Sequence, residues 1–122
     1  MNIEELRAYC LSKKYVTECL PFDNVTLVFK VANKMFVIVP LDNWEKGEAS
    51  VTLKCDPEYT LELRGKYVSI FAGPYVNNKH WNTVLINTGE LQNDFVIKLI
   101  DLSYNLVVKG MTKKLQKELG FL

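Results

Sequence analysis

Nothing in this chain reads as a membrane span, a catalytic triad or a metal cluster. No uninterrupted apolar run approaches the ~18 residues that a spanning helix needs, so no membrane insertion is expected. The first residues, MNIEELRAYC, place acids among periodic apolar positions where a secretory leader would carry a basic head and an apolar core, so a cytoplasmic protein is expected. Cysteine is sparse and odd in number: Cys10, Cys19 and Cys55 are widely spaced and lack the pairing of a zinc site or a disulfide framework. Reduced, structural thiols are the expectation, with no metal and no cofactor. The chain has no G-x-S-x-G elbow, glycine-rich phosphate loop, H-E-x-x-H or C-x-x-C, and its single histidine, His80, leaves few ways to build a nucleophile and base pair. His80 is the one candidate for a lone general base, near Cys55 or Asp56, and spacing in sequence does not bring these together. A histidine beside a tryptophan is more often a structural or surface residue, and an enzyme is not expected.

A charge excess of either sign is also missing. Fifteen Lys and Arg against fourteen Asp and Glu give a net charge of +1, unlike the strongly basic balance of a typical nucleic-acid-binding domain, so any binding face must be local. With 122 residues, 48% of them hydrophobic, the chain fits one domain over residues 1–122 with a single core. It contains no repeats, low-complexity tracts or linker.

What the chain does have is a clear change of period. Asn2 reads as a helix cap with Glu5 three residues on, and Ile3, Leu6, Tyr9 and Cys10 share one face of a helix that ends near Lys13 or Lys14. KKYVTECLPFD reads as a surface loop pinned to the core by Pro21 and Phe22. From Val25 the period falls to two: Val25, Leu27, Phe29 and Val31 alternate with Thr26, Val28 and Lys30. A break at Ala32 and Asn33 leads into KMFVIVP, which stops at Pro40, so a hairpin is predicted. An acidic loop follows, and SVTLKC forms a third strand with Val51, Leu53 and Cys55 inward. Asp56 and Pro57 start a second helix that runs to about Arg64 and stops at Gly65. YVSIFAG makes a short fourth strand, and a fifth spans roughly His80 to Asn87. After Gly89 a helical stripe is carried by Phe95, Val96 or Ile97, Leu99, Ser103, Leu106 and Val107, with Gly110 as its stop and a last amphipathic turn or two beyond. The order predicts an α+β, two-layer fold: an antiparallel sheet of about five strands with helices on one face.

The near-neutral total hides local basic stretches. No acid falls between Glu62 and Glu90, a window that holds Arg64, Lys66, Lys79 and His80. A second window from Leu102 to Lys117 holds Lys109, Lys113, Lys114 and Lys117, and for these helical lysines a solvated face is the simpler reading. If helices cover one face of the sheet, the other carries Thr26, Lys30, Ser50, Thr52 and Lys54. Their hydroxyl and ammonium groups, with the amides of Asn77, Asn78 and Asn82, are the donors that phosphate oxygens accept, and Trp81 adds a face for stacking. The same residues are equally compatible with a soluble face whose edge Trp81 anchors.

At these residues the chain resembles the MmcQ/YjbR family of small bacterial proteins. The matching pieces are LPFDNVTLVFKVANKMFVIV, VTLKCDPE, NKHWNTV and SYNLVVKGMTKKL, in the family's order and over nearly the whole chain. The resemblance implies an order of helix, three strands, helix, two strands and helix. It also implies DNA binding through a double-wing arrangement of the sheet, with contacts at Lys30, Lys34, Lys54, Lys79, His80, Trp81 and Asn82. Where the family commonly reads M-N-K-K-H-W-N, this chain has Val76 and Asn78, which removes one charge from that face. Two functions stay open: a DNA-binding module that grips phosphates, and a protein-interaction or self-association module that uses the open sheet face or its edge, with Val28 supplying apolar area.

Overall fold

The computed structural model describes residues 1–122. Helix α1 (Ile3–Leu11) starts where the Asn2 side chain accepts the Glu5 amide at 2.8 Å, and Glu4 and Glu5 sit in the first turn, where the helix dipole favours acids. It buries Leu6 and Cys10. The stretch read as a loop then forms an edge strand, β1 (Val16–Cys19), paired antiparallel with β2 (Thr26–Val31) from Val16↔Val31 to Cys19↔Val28. Four residues with one apolar alternation carry little local signal; the β2 partner and the Arg7–Glu18 ion pair from α1 supply what the segment lacks.

A tight turn joins β2 to β3 (Lys34–Pro40), with Ala32 and Asn33 both at positive φ (47° and 69°), as a type I′ hairpin requires. Opposite Phe29 and Lys30 the register jumps from Val37 to Met35, so Phe36 is the extra residue of a bulge, and both Phe36 and Val37 are fully buried. The expected acidic loop contains a short helix, α2 (Leu41–Glu45), whose Trp44 donates its indole N–H to the Ser50 carbonyl at 2.8 Å.

Strand β4 (Ser50–Lys54) leads to α3 (Pro57–Lys66), capped by Asp56, which accepts the Glu58 and Tyr59 amides at 3.1 Å each. The helix continues through Gly65, because the Tyr67 amide still reaches the Leu63 carbonyl at 2.9 Å; a glycine permits a helix end without imposing one. Strand β5 is only Ile70–Phe71, and β6 is Trp81–Leu85. Helix α4 (Asn93–Lys109) and α5 (Lys113–Glu118), the latter capped by Thr112, complete the chain.

The sheet is fully antiparallel in the order β1-β2-β3-β4-β6-β5, six strands where about five were expected. Helix α4 packs across β2, β3 and β4. Its buried stripe runs Val96, Leu99, Ile100, Ser103, Tyr104, Val107 and Val108, a strict three- and four-residue spacing. Phe95 and Leu106 flank that stripe and are only half-buried, so the face is rotated from the sequence expectation. Twenty-three buried residues form one core cluster between sheet and helices.

Val28 lies outside that cluster yet is fully buried. It sits on the opposite face of the sheet, in register with Cys19 and Ile38, so it offers no exposed area for a partner. The open-face role expected of Val28 does not hold.

Candidate functional site

The site begins with a mismatch between two strands. Between β3 and β4 only Val37↔Leu53 and Ile38↔Thr52 pair, and beyond them the start of β3 and the end of β4 diverge. Ser103 of α4 fills the gap: its hydroxyl donates to the Phe36 carbonyl at 2.6 Å and accepts the Lys54 amide at 2.9 Å. A fully buried hydroxyl thereby satisfies one backbone group from each strand where the ladder cannot.

At this divergence lies a cleft of about 520 Å³. Lys30 of β2, Lys34 at the start of β3 and Lys54 at the end of β4 all line it, together with Asn33 of the hairpin turn and Met35. Pro21 and Phe22 reach it from the β1–β2 connection, and Val107 and Gly110 from the end of α4. No acid is among these residues, and neither of the ion pairs in the fold, Arg7–Glu18 and Lys13–Asp101, involves the three lysines.

Phe22 departs from its expected place in the core, being 65% exposed. The next residue, Asp23, builds a side-chain turn that fixes the loop: its carboxylate accepts the amides of Val25 (3.0 Å) and Thr26 (2.7 Å). Hydrogen bonds from the Val25 amide first, then from the Thr26 hydroxyl and amide, hold the Asp23 carboxyl below its ordinary range.

The other predicted contacts separate into two groups. Trp81 faces the same side of the sheet as Lys54, its register partner, and is half-buried without joining the core cluster. Lys79 and His80 belong to a turn built by Asn77, whose side chain accepts the Lys79 amide at 3.0 Å and whose carbonyl accepts the amides of His80 (3.1 Å) and Trp81 (3.0 Å). The His80 carbonyl accepts the Cys55 amide at 2.8 Å, which places this turn beside the residue that follows Lys54. Lys79 is exposed and His80 half-buried, and neither lines the cleft.

Asn82 points the other way. It is 2% exposed, opposite Leu53 on the helix-covered face, accepts from Arg64 Nε at 2.7 Å and donates to the Thr60 hydroxyl at 3.3 Å. A ligand on the open face cannot reach it, so its expected contact role is corrected to a structural one. Arg64, counted in the basic window, is likewise committed: its guanidinium also holds the carbonyls of Asn78 (2.6 Å) and Trp81 (3.1 Å). The NKHWN stretch is therefore first of all the seam that fastens α3 to β6.

Other reactive groups are quiet. Burial pushes the Cys10 thiol up to about 12 and raises that of Cys55. No group of three or more His, Cys, Asp or Glu side chains is placed to hold a metal ion, and no helix is long and apolar enough to cross a membrane.

The comparisons agree with this architecture. A family model described as YjbR matches residues 11–106. The chain belongs to the YjbR family. It is 34% identical over 115 residues to the uncharacterized protein YbdF of Escherichia coli O157:H7, covering 93% of this chain and 90% of that one. The crystal structure of Deinococcus radiodurans protein DR2400, a DUF419 domain, superposes with a TM-score of 0.88 at 36% identity, over 98% of this chain and 88% of that one. A Pseudomonas syringae protein follows at TM-score 0.72 and 26% identity, over 87% of this chain and 98% of its own.

Of the cleft, sequence reasoning singled out the three lysines and missed Phe22, Asn33 and Met35 as neighbours.

Proposed function

We propose that this YjbR-family protein is a small cytoplasmic nucleic-acid-binding module that grips phosphate oxygens through Lys30, Lys34 and Lys54 and acts by binding, without a catalytic step. One observation carries the reading: three lysines from three strands line a single cleft that contains no acid, in a chain whose net charge is only +1. Unpaired ammonium groups brought together in this way repel one another, and a polyanion relieves that repulsion while releasing its own counterions.

Each phosphate neutralised contributes about −0.9 to the slope of log affinity against log salt for duplex DNA and about −0.7 for a single strand, so three contacts give roughly −2 to −3. Fluorescence anisotropy with labelled DNA over a salt series measures it. Lys34→Gln, at an exposed position, is expected to lower affinity evenly across sequences and reduce the slope by about 1. Lys79 lies outside the cleft lining, and its replacement is expected to change the slope less. A flat salt dependence, or no binding at low salt, overturns the proposal.

A further inference from the structure

We infer that the ligand of the cleft is a single strand, with one base seated on Phe22, and not a duplex. The inference rests on the nucleic-acid reading above and adds to it the form of the nucleic acid. Its first ground is shape. Duplex DNA is read by elements that protrude, a helix or a two-stranded ribbon entering the major groove. Here the lysines line a depression of about 520 Å³. That volume lies within the range of pockets that enclose small ligands, which suits a single nucleotide unit entering from a flexible strand. The second ground is the ring. Phe22 is 65% exposed, lines the same cleft as the three lysines and directly precedes the Asp23 turn. A groove that combines ammonium groups for the backbone with an exposed aromatic face for the bases is the arrangement that binds single strands with little sequence preference. Met35, a soft thioether in the same lining, offers a second apolar wall for the base. Asn33 at the hairpin tip adds an amide that can donate to a phosphate or to a base edge.

The test compares a labelled oligothymidylate with a duplex of the same length, at one low salt concentration, for the wild-type chain, Phe22→Ala and Phe22→Tyr. Because the ring is exposed, both variants are expected to fold, and thermal melts check this. The expected result is tighter binding of the single strand by at least about 10-fold, a loss of about 5- to 150-fold in that affinity for Phe22→Ala, and retention of affinity in Phe22→Tyr, which keeps the ring. Duplex affinity is expected to be the same in all three proteins. If the duplex binds as tightly as the single strand, or Phe22→Ala changes nothing, the inference fails while the nucleic-acid reading stands. Thymidine monophosphate binding as tightly as the oligomer overturns the inference in favour of a free nucleotide. If neither DNA binds, both fail.

Discussion

Ser103 shows how one residue can set both stability and site geometry. Its hydroxyl accepts the Lys54 amide and donates to the Phe36 carbonyl, at the point where β3 and β4 part. Ser103→Ala leaves a donor and an acceptor together in a buried place, and each unsatisfied group costs about 1–3 kcal/mol. The expected loss is about 2–3 kcal/mol in a urea melt, and under the proposed function DNA binding weakens with it because Lys54 is no longer held. A loss under about 0.5 kcal/mol would mean that water or backbone adjustment replaces the hydroxyl. The serine fell on the predicted apolar stripe of its helix, but its role lies in a strand divergence that no local pattern encodes. The site was legible to the same extent. Alternation gave the face on which Lys30 and Lys54 lie, whereas their meeting with Lys34 depends on the Phe36 bulge and the hairpin turn. Asn82 was misassigned because a strand preceded by a tight turn gives no local indication of which of its two faces meets the helices.

Among the elements, those with a period or a cap were legible and those made by a partner were not. Asn2 and Asp56 as caps, and alternation from Val25, located α1, α3, β2 and β3 within two or three residues. β1 and α2 escaped because pairing with β2 and the Trp44–Ser50 hydrogen bond define them, and four or five residues cannot announce either. β5 was overextended for the opposite reason. Its sequence favours a longer strand, but only Ile70 and Phe71 pair in register with β6, with the Ser69 carbonyl accepting the Leu85 amide at 2.8 Å just ahead of them; the chain leaves the sheet before Gly73. That glycine is required by close approach: a Cβ there would fall well inside contact distance of the Thr83 hydroxyl and 3.2 Å from Thr83 Cβ. The Thr83 hydroxyl also lies 3.4 Å from that of Thr52, so it cannot rotate away without losing that neighbour. Gly73→Ala is expected to destabilise by roughly 1–3 kcal/mol, as overpacking does. Adding Thr83→Ala should recover part of the loss by removing the hydroxyl that crowds the site. If Gly73→Ala melts like the parent, the β5–β6 connection is looser than its packing implies.

At the scale of the whole molecule, carboxylates fasten both edges of the sheet. At the β1 edge Glu18 pairs with Arg7 of α1. At the β5 edge Glu90 accepts the amides of Ser69 (2.7 Å) and Val68 (3.2 Å), just ahead of that strand. Arg7 holds the Glu18 carboxyl below the ordinary value of 4.5, chiefly by hydrogen bonding. Ser69, through its side chain and its amide, does the same for Glu90, with help from Val68. A carboxyl whose value is lower in the folded than in the unfolded chain stabilises the fold above the unfolded value, and that contribution disappears as the pH falls through the folded one. Between the two values the unfolded chain binds more protons, so stability rises with pH across that window. The contribution of these two carboxylates is thus expected to stay steady down to about pH 5 and to fade progressively as pH falls below 4.5. Urea midpoints measured over an acid pH series test this with Glu18→Gln and Glu90→Gln. Each variant is expected to be less stable than the parent at neutral pH and to show a shallower decline in acid, so that the curves converge at low pH. Parallel curves for parent and variants would show that the edge carboxylates do not govern the acid response.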